Sequence, residues 1–209
     1  MLPYGVMHCI SVTSVLSVVK TFSREQGSME TVQLTISDVV YPGKGLARMD
    51  DGCVVFVPGV LPGETVRVEI TKHKKNFAEA RLLEVISPSG QRRSPECQLA
   101  GICPGCRYQH ADYAEEVRLK QAQFANLLER QARIEVSGVL LPPIAAPSRL
   151  GYRNKITLHS GATGLLGYFA EDNETVIDVE SCPLAAPPLN TLLADLRKQP
   201  DFLKALKPD

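Results

Sequence analysis

The sequence predicts a mainly β module followed by an α+β module: an N-terminal OB-like β-barrel, then a small cysteine-bearing domain of one long helix and a three-strand segment. Three observations carry this expectation. Short apolar alternations closed by Gly or Pro run from Thr31 to Ile86, three cysteines fall within ten residues from Cys97 to Cys106, and a long helical stretch opens at Asp112. A length of 209 residues suits two such modules, each with its own core. The 44% hydrophobic and 22% charged fractions are those of an ordinary globular chain, which excludes a disordered one.

Residues 1–28 are rich in Ser and Val and lack turn punctuation, ending before a second methionine, Met29. They read as a leader with little order or as an upstream start assigned in error. The apolar stretch from Cys9 to Val19 has no basic region before it and is too short to span a bilayer. Neither export nor a membrane is implied, so the six cysteines are expected in a reducing cytoplasm, where clustered thiols more often bind metal than pair.

Strand signals then follow closely. Val32 to Val40 alternates, Gly52 to Val57 is a buried-strand run, Thr65 to Ile70 alternates again and Phe77 to Ile86 closes the set. About five short strands with glycine at the corners argue for a small closed barrel without exposed edges. Net charge is zero, but from Thr65 to Arg93 seven basic residues face three acids. A locally basic module in a neutral chain points to a nucleic-acid footprint on that module.

After Pro88-Ser-Gly90 comes Cys97-Gln-Leu-Ala-Gly-Ile-Cys103-Pro-Gly-Cys106-Arg-Tyr-Gln-His110. Pro104-Gly105 turns the chain between the last two thiols. Three thiolates need a fourth ligand, and Cys182 in Val179-Glu-Ser-Cys182-Pro183 is the available one. The spacing, one C-x2-C pair plus two outlying cysteines, leaves an iron–sulfur cubane and structural zinc both open. His110 reads either as a ligand or as a residue ordering the loop by hydrogen bonds.

Asp112 is the expected N-cap of the long helix, with Glu115 completing a capping box. Tyr113, Val117, Phe124, Leu127 and Leu128 supply its apolar stripe. Pro142-Pro143 and Pro147 mark a linker, Gly151 to His159 begins a strand set, Leu165 to Ala170 and Thr175 to Val179 continue it, and Leu184 to Leu206 is helical in tendency but interrupted by prolines.

Two sets of motifs resemble known families. Tyr41-Pro-Gly43-Lys-Gly45-Leu-Ala47-Arg, Val55-Phe-Val57-Pro-Gly59-Val-Leu-Pro62-Gly63-Glu64, Val68-x-Ile70 and Lys74-Lys75-x-x-Ala78 resemble a TRAM domain, a small RNA-binding barrel. Cys97-x5-Cys103-x-Gly-Cys106-x-x-Gln109-His110, Tyr152-Arg153-x-Lys155 and Val176-x-Asp178-Val179-x-x-Cys182-Pro183 are similar to the front half of the RumA-type 23S rRNA (uracil-5-)-methyltransferase family. Pro104 departs from the glycine common there.

The resemblance implies a TRAM domain over 29–88, an iron–sulfur-binding central domain over 89–183 and, from 184, the start of a helical connection to a methyltransferase domain. It implies that Cys97, Cys103, Cys106 and Cys182 hold a [4Fe–4S] cluster, with Cys182 a ligand rather than the family's nucleophile. It further implies RNA as partner, 23S rRNA or tRNA, met by Lys72, Lys74, Lys75, Arg81, Arg153 and Lys155; no protein partner is implied. The full-length enzymes use S-adenosylmethionine on a doubly wound α/β domain with a glycine-rich turn. Pro183 to Asp209 contains no glycine, so the chain is expected to lack that SAM-binding domain, to hold no catalytic residue and to be inactive alone. The rival expectations are a stand-alone RNA-binding module with a redox-sensing cluster and a zinc-stabilised RNA-binding protein.

Overall fold

The computed structural model describes residues 30–161 and 164–205, so the leader expected over 1–28 lies outside the described residues. The compact unit Thr31–Asp209 is a mixed α+β fold with a six-stranded and a three-stranded sheet.

The first sheet contains β1 (Thr31–Thr35), β2 (Asp38–Val40), β3 (Lys44–Arg48), β4 (Val54–Pro58), β5 (Thr65–His73) and β6 (Phe77–Ser87), in the order β1-β5-β6-β4-β3-β2. All pairings are antiparallel except β4 with β6. The expected OB-like barrel is corrected by this order: β1 and β2 occupy opposite edges and do not pair, so the sheet stays open. Their junction is Ile36-Ser37, whose amides donate to Glu64 and Leu46 at 2.9 Å each, one toward each edge. The chain segment expected as one strand over 32–40 is thereby divided between two partners. The sixth strand, β3, gives no strand signal in the sequence because Lys-Gly-Leu-Ala-Arg carries no β-branched residue.

Alternation places Leu34, Ala47, Val55, Val57, Val66, Val68, Ile70, Ala78 and Ala80 on one face, with Ile36 and Val60 beside them. Each fully buried valine stabilises the module by roughly 1.5–3 kcal/mol relative to exposure. The core is narrow at β3: a Cβ on Gly45 would lie 2.1 Å from Val60 Cγ2, so only glycine fits.

A second cluster of Val39, Leu61, Tyr108, Ala111 and Leu119 joins this sheet to the cysteine region and α1 (Tyr113–Leu127). Asp112 caps α1 as expected, accepting from Glu115 N at 2.8 Å. The capping box is half made, because Asp112 N already donates to Gln91 O at 2.8 Å and Glu115 pairs with Arg118. Nor is the expected stripe the buried face: Leu119 and Gln123 point inward, while Phe124 and Leu127 are exposed. Gln123 turns a polar group toward the sheet, donating to Val39 O at 2.9 Å and accepting from Tyr108 Oη at 2.7 Å. The helix continues as a π-helical turn over Leu128–Ala132 and ends at Arg133 in the left-handed conformation.

The second sheet is the antiparallel meander β7 (His159–Ser160), β8 (Leu166–Phe169) and β9 (Val176–Asp178). Most of the strand expected from Gly151 is irregular; only Arg153 bridges, to Ala185. α2 (Pro187–Arg197) and α3 (Pro200–Ala205) complete the fold. The prolines expected to interrupt these helices begin them, since a first-turn residue needs no amide donor. Leu166, Val179 and Leu193 form the third cluster, against which Tyr168 and Cys182 pack. None of the described helices is long and apolar enough to cross a membrane.

Candidate metal centre

The four cysteines singled out in the sequence line one small cavity, with Leu99, Tyr168, Val179 and Pro183 among its other walls. The first three come from the loop after β6, held by short backbone bonds: Cys103 N donates to Leu99 O at 2.8 Å and Ala100 N to Cys97 O at 3.1 Å. The fourth arrives beyond the end of β9. Asn190 on α2 fixes it reciprocally, accepting from Cys182 N at 2.9 Å and donating to Cys182 O at 3.0 Å. The next turn is tied to the segment after Gly151, with Gly151 N on Pro183 O at 2.9 Å and Arg153 N on Leu184 O at 2.8 Å. Cysteines far apart in the chain thus meet through backbone geometry.

The described cysteines are all free thiols. Burial, with the neighbouring Cys103, Cys182 and Cys97 sulfurs, pushes the Cys106 thiol up, against a lowering contact from the Gln109 amide. Among the described residues, no three His, Cys, Asp or Glu side chains converge tightly enough to hold a single metal ion. A tetrahedral zinc–thiolate site needs every sulfur about 2.3 Å from one point. The four thiols share a cavity without that convergence.

Their surroundings test the chemistry of the group they would hold. Gln109 Nε2 and Tyr168 Oη are the described buried side-chain polar atoms without a hydrogen-bond partner; Tyr168 lines this cavity, and Gln109 lies next to Cys106. Gln109 Oε1 accepts from Cys97 N at 3.0 Å, which leaves Nε2 beside Cys106. Tyr168 Oη lies against Cys182 without normal hydrogen-bond geometry; burial and that sulfur raise its pKa far above the usual tyrosine range. A buried donor without an acceptor costs about 1–3 kcal/mol. Two such donors beside Cys106 and Cys182 suit an anionic, sulfur-rich group, so the residues present fit a cluster.

His110 is not part of the cavity wall. Its Nε2 faces Val60 O at 3.2 Å, and burial lowers its pKa, so it links the loop to the β4–β5 turn as the hydrogen-bonding alternative expects.

Lys72, Lys74 and Lys75 are exposed at the end of β5 and its turn into β6, and none forms an ion pair among the described residues. Arg81 differs, donating through Nε and Nη2 to Glu69 at 3.0 and 2.5 Å. Arg153 and Lys155 are exposed on the opposite module. Burial works against the charge on Arg153, but Tyr152 and the Cys182 and Cys106 sulfurs raise its pKa overall. It opens on a groove with Cys106, Gln109, Arg149 and Tyr152. Sequence reasoning overlooked Tyr168 and Asn190. The pattern Leu-Gly-Tyr-Phe shows a strand, and nothing in it shows where the hydroxyl ends.

Known proteins resemble this chain over most of its length. The TRAM domain profile matches residues 25–83. An uncharacterised RNA methyltransferase of Synechocystis sp. is 38% identical over 178 residues, covering 83% of this chain and 38% of that protein. A 23S rRNA (uracil(1939)-C(5))-methyltransferase of Halomonas elongata is 35% identical over 186 residues, covering 87% of this chain and 38% of its own length. The crystal structure of Pyrococcus abyssi tRNA (uracil-54, C5)-methyltransferase superposes with a TM-score of 0.57 at 18% identity, over 82% of this chain and 37% of that one, a likeness of fold. The chain thus spans well under half the length of the relatives it matches. By these matches it belongs to the RumA-type RNA (uracil-5-)-methyltransferase family, whose TRAM-bearing portion it represents.

Proposed function

We propose that this chain is the RNA-binding, [4Fe–4S]-holding portion of an S-adenosylmethionine-dependent RNA (uracil-5-)-methyltransferase acting on 23S rRNA in the cytoplasm. The observation that carries it is the meeting of Cys97, Cys103, Cys106 and Cys182 at one cavity, with Tyr168 in its wall and the Gln109 amide beside Cys106. Four thiols lining one space supply the four-cysteine ligation that a cluster takes. When bound, a cluster ligated by four cysteines supplies a covalent cross-link and a compact negative charge. The chain's own residues do the rest. The 97–106 loop and the 182–186 turn hold the ends of the 89–183 domain together, and Asn190 fixes the last ligand's backbone.

RNA is met on the TRAM side. Lys72, Lys74 and Lys75 are exposed, form no ion pair among the described residues and would bind phosphates electrostatically. Arg153 and Lys155 would extend that contact toward the cysteine centre, whereas Arg81 contributes less because Glu69 holds it. Methyl transfer itself, with S-adenosylmethionine and a cysteine nucleophile, is assigned to sequence that the relatives carry beyond the matched span. The test is binding of the anaerobically prepared chain to a 23S rRNA fragment, to tRNA and to an unrelated RNA of equal length. Tighter binding of the 23S fragment is expected, without methyl label appearing in it when labelled S-adenosylmethionine is added. Equal binding to all three, or transfer of label, would overturn the assignment.

A further inference from the structure

We propose that Gln109 and Tyr168 are hydrogen-bond donors to the sulfurs of the group held by Cys97, Cys103, Cys106 and Cys182, and that they set its reduction potential. This rests on the reading of the cysteine cavity as a cluster site.

The two donors are independently fixed. Gln109 is 8% exposed, and Cys97 N holds its Oε1 at 3.0 Å. That bond decides the orientation of the amide, because the carbonyl oxygen alone can accept there, so Nε2 faces Cys106. Tyr168 is set by its strand. A Cβ on the preceding Gly167 would come within 1.7 Å of Ile177 O, so β8 is pressed against β9, and the Tyr168 ring packs against the cluster of Leu166, Val179 and Leu193. Its hydroxyl lies against the sulfur of Cys182, within the wall of the four-cysteine cavity. Gln109 therefore faces Cys106, and Tyr168 faces Cys182.

Neither side chain serves another purpose that satisfies its donor. Both polar atoms are buried and unpartnered, a costly condition that a folded chain retains only where an acceptor is supplied. Thiolate and sulfide sulfurs are such acceptors. A donor aimed at them draws electron density away, favours the more negative reduced state and so raises the potential. A purely packing role would need the aromatic ring and the amide volume but not the protons.

The experiment compares the full chain with Tyr168→Phe, which removes only the hydroxyl, and Gln109→Glu, which keeps the acceptor for Cys97 N but loses the donor. After anaerobic loading, iron and sulfide content, midpoint potential and the shift of iron–sulfur Raman bands in D₂O are measured. Tyr168→Phe is expected to keep its iron while its potential shifts downward and its D₂O shift shrinks; Gln109→Glu should show a larger fall or lose iron. A loaded wild type with no D₂O shift, or unchanged potentials in both variants, overturns the proposal and leaves the cluster intact. A wild type without iron and sulfide overturns the cluster reading first. A wild type with no D₂O shift overturns the proposal even if a variant fails to fold.

Discussion

Glu64 is fully buried beneath Arg92, whose Nε and Nη2 donate to its two carboxylate oxygens at 2.5 and 2.7 Å. The carboxylate also accepts from Leu61 N at 2.8 Å and Ser89 N at 3.1 Å, while Arg92 Nη2 donates to Gly59 O at 2.8 Å. This pair fastens the end of the large sheet to the segment that leads into the cysteine loop.

Removing one partner leaves a buried charge uncompensated. Arg92→Met is expected to cost about 3–5 kcal/mol, whereas Arg92→Met with Glu64→Leu should be far milder because both charges go. Chemical denaturation of the three chains checks this; a double variant as unstable as the single one would contradict it.

The same pair sets an acid limit. Burial alone would raise the Glu64 pKa, but the Arg92 and backbone hydrogen bonds together hold it below the usual carboxylate value of 4.5. A depressed folded-state pKa means that the stability is present above the unfolded value and is lost as pH falls through the folded one. Thermal melts should therefore hold steady above about pH 5 and decline below about 4.5. Glu64→Gln should flatten that acid limb.

At the narrow point of the core, Gly45→Ala would drive a methyl into Val60. Overpacking of this kind is expected to cost about 1–3 kcal/mol. Combining it with Val60→Ala should recover part of the loss by clearing the space, which differential scanning calorimetry would show.

On the RNA side, replacing Lys72, Lys74 and Lys75 together by alanine should weaken binding to every RNA by a similar factor. The slope of log affinity against log salt should fall by roughly 0.7–0.9 for each phosphate that is no longer neutralised. An unchanged slope would place the RNA elsewhere.

Much of this is legible in the residues. Asp112 marks the helix start by its type and spacing, and the four cysteines stand out by their density and by the lone Cys182 that completes the set. What the chain hides is tertiary. The inward face of α1 is Leu119 and Gln123 because Tyr108 and Val39 engage a polar partner there, and an apolar-stripe argument has no means of choosing a glutamine. That the sheet stays open likewise depends on where the Ile36 and Ser37 amides find carbonyls, a matter of partners distant in sequence. Proline patterns mislead for a local reason: the same residue that breaks a helix in its interior begins one at its first turn.

The most direct measurement of the central claim is iron, sulfide and zinc per chain after anaerobic purification, with an absorption spectrum, for wild type and Cys182→Ser. A brown wild type with about four irons and four sulfides is expected, with a variant that loses most of them. A colourless wild type carrying one zinc per chain would contradict it.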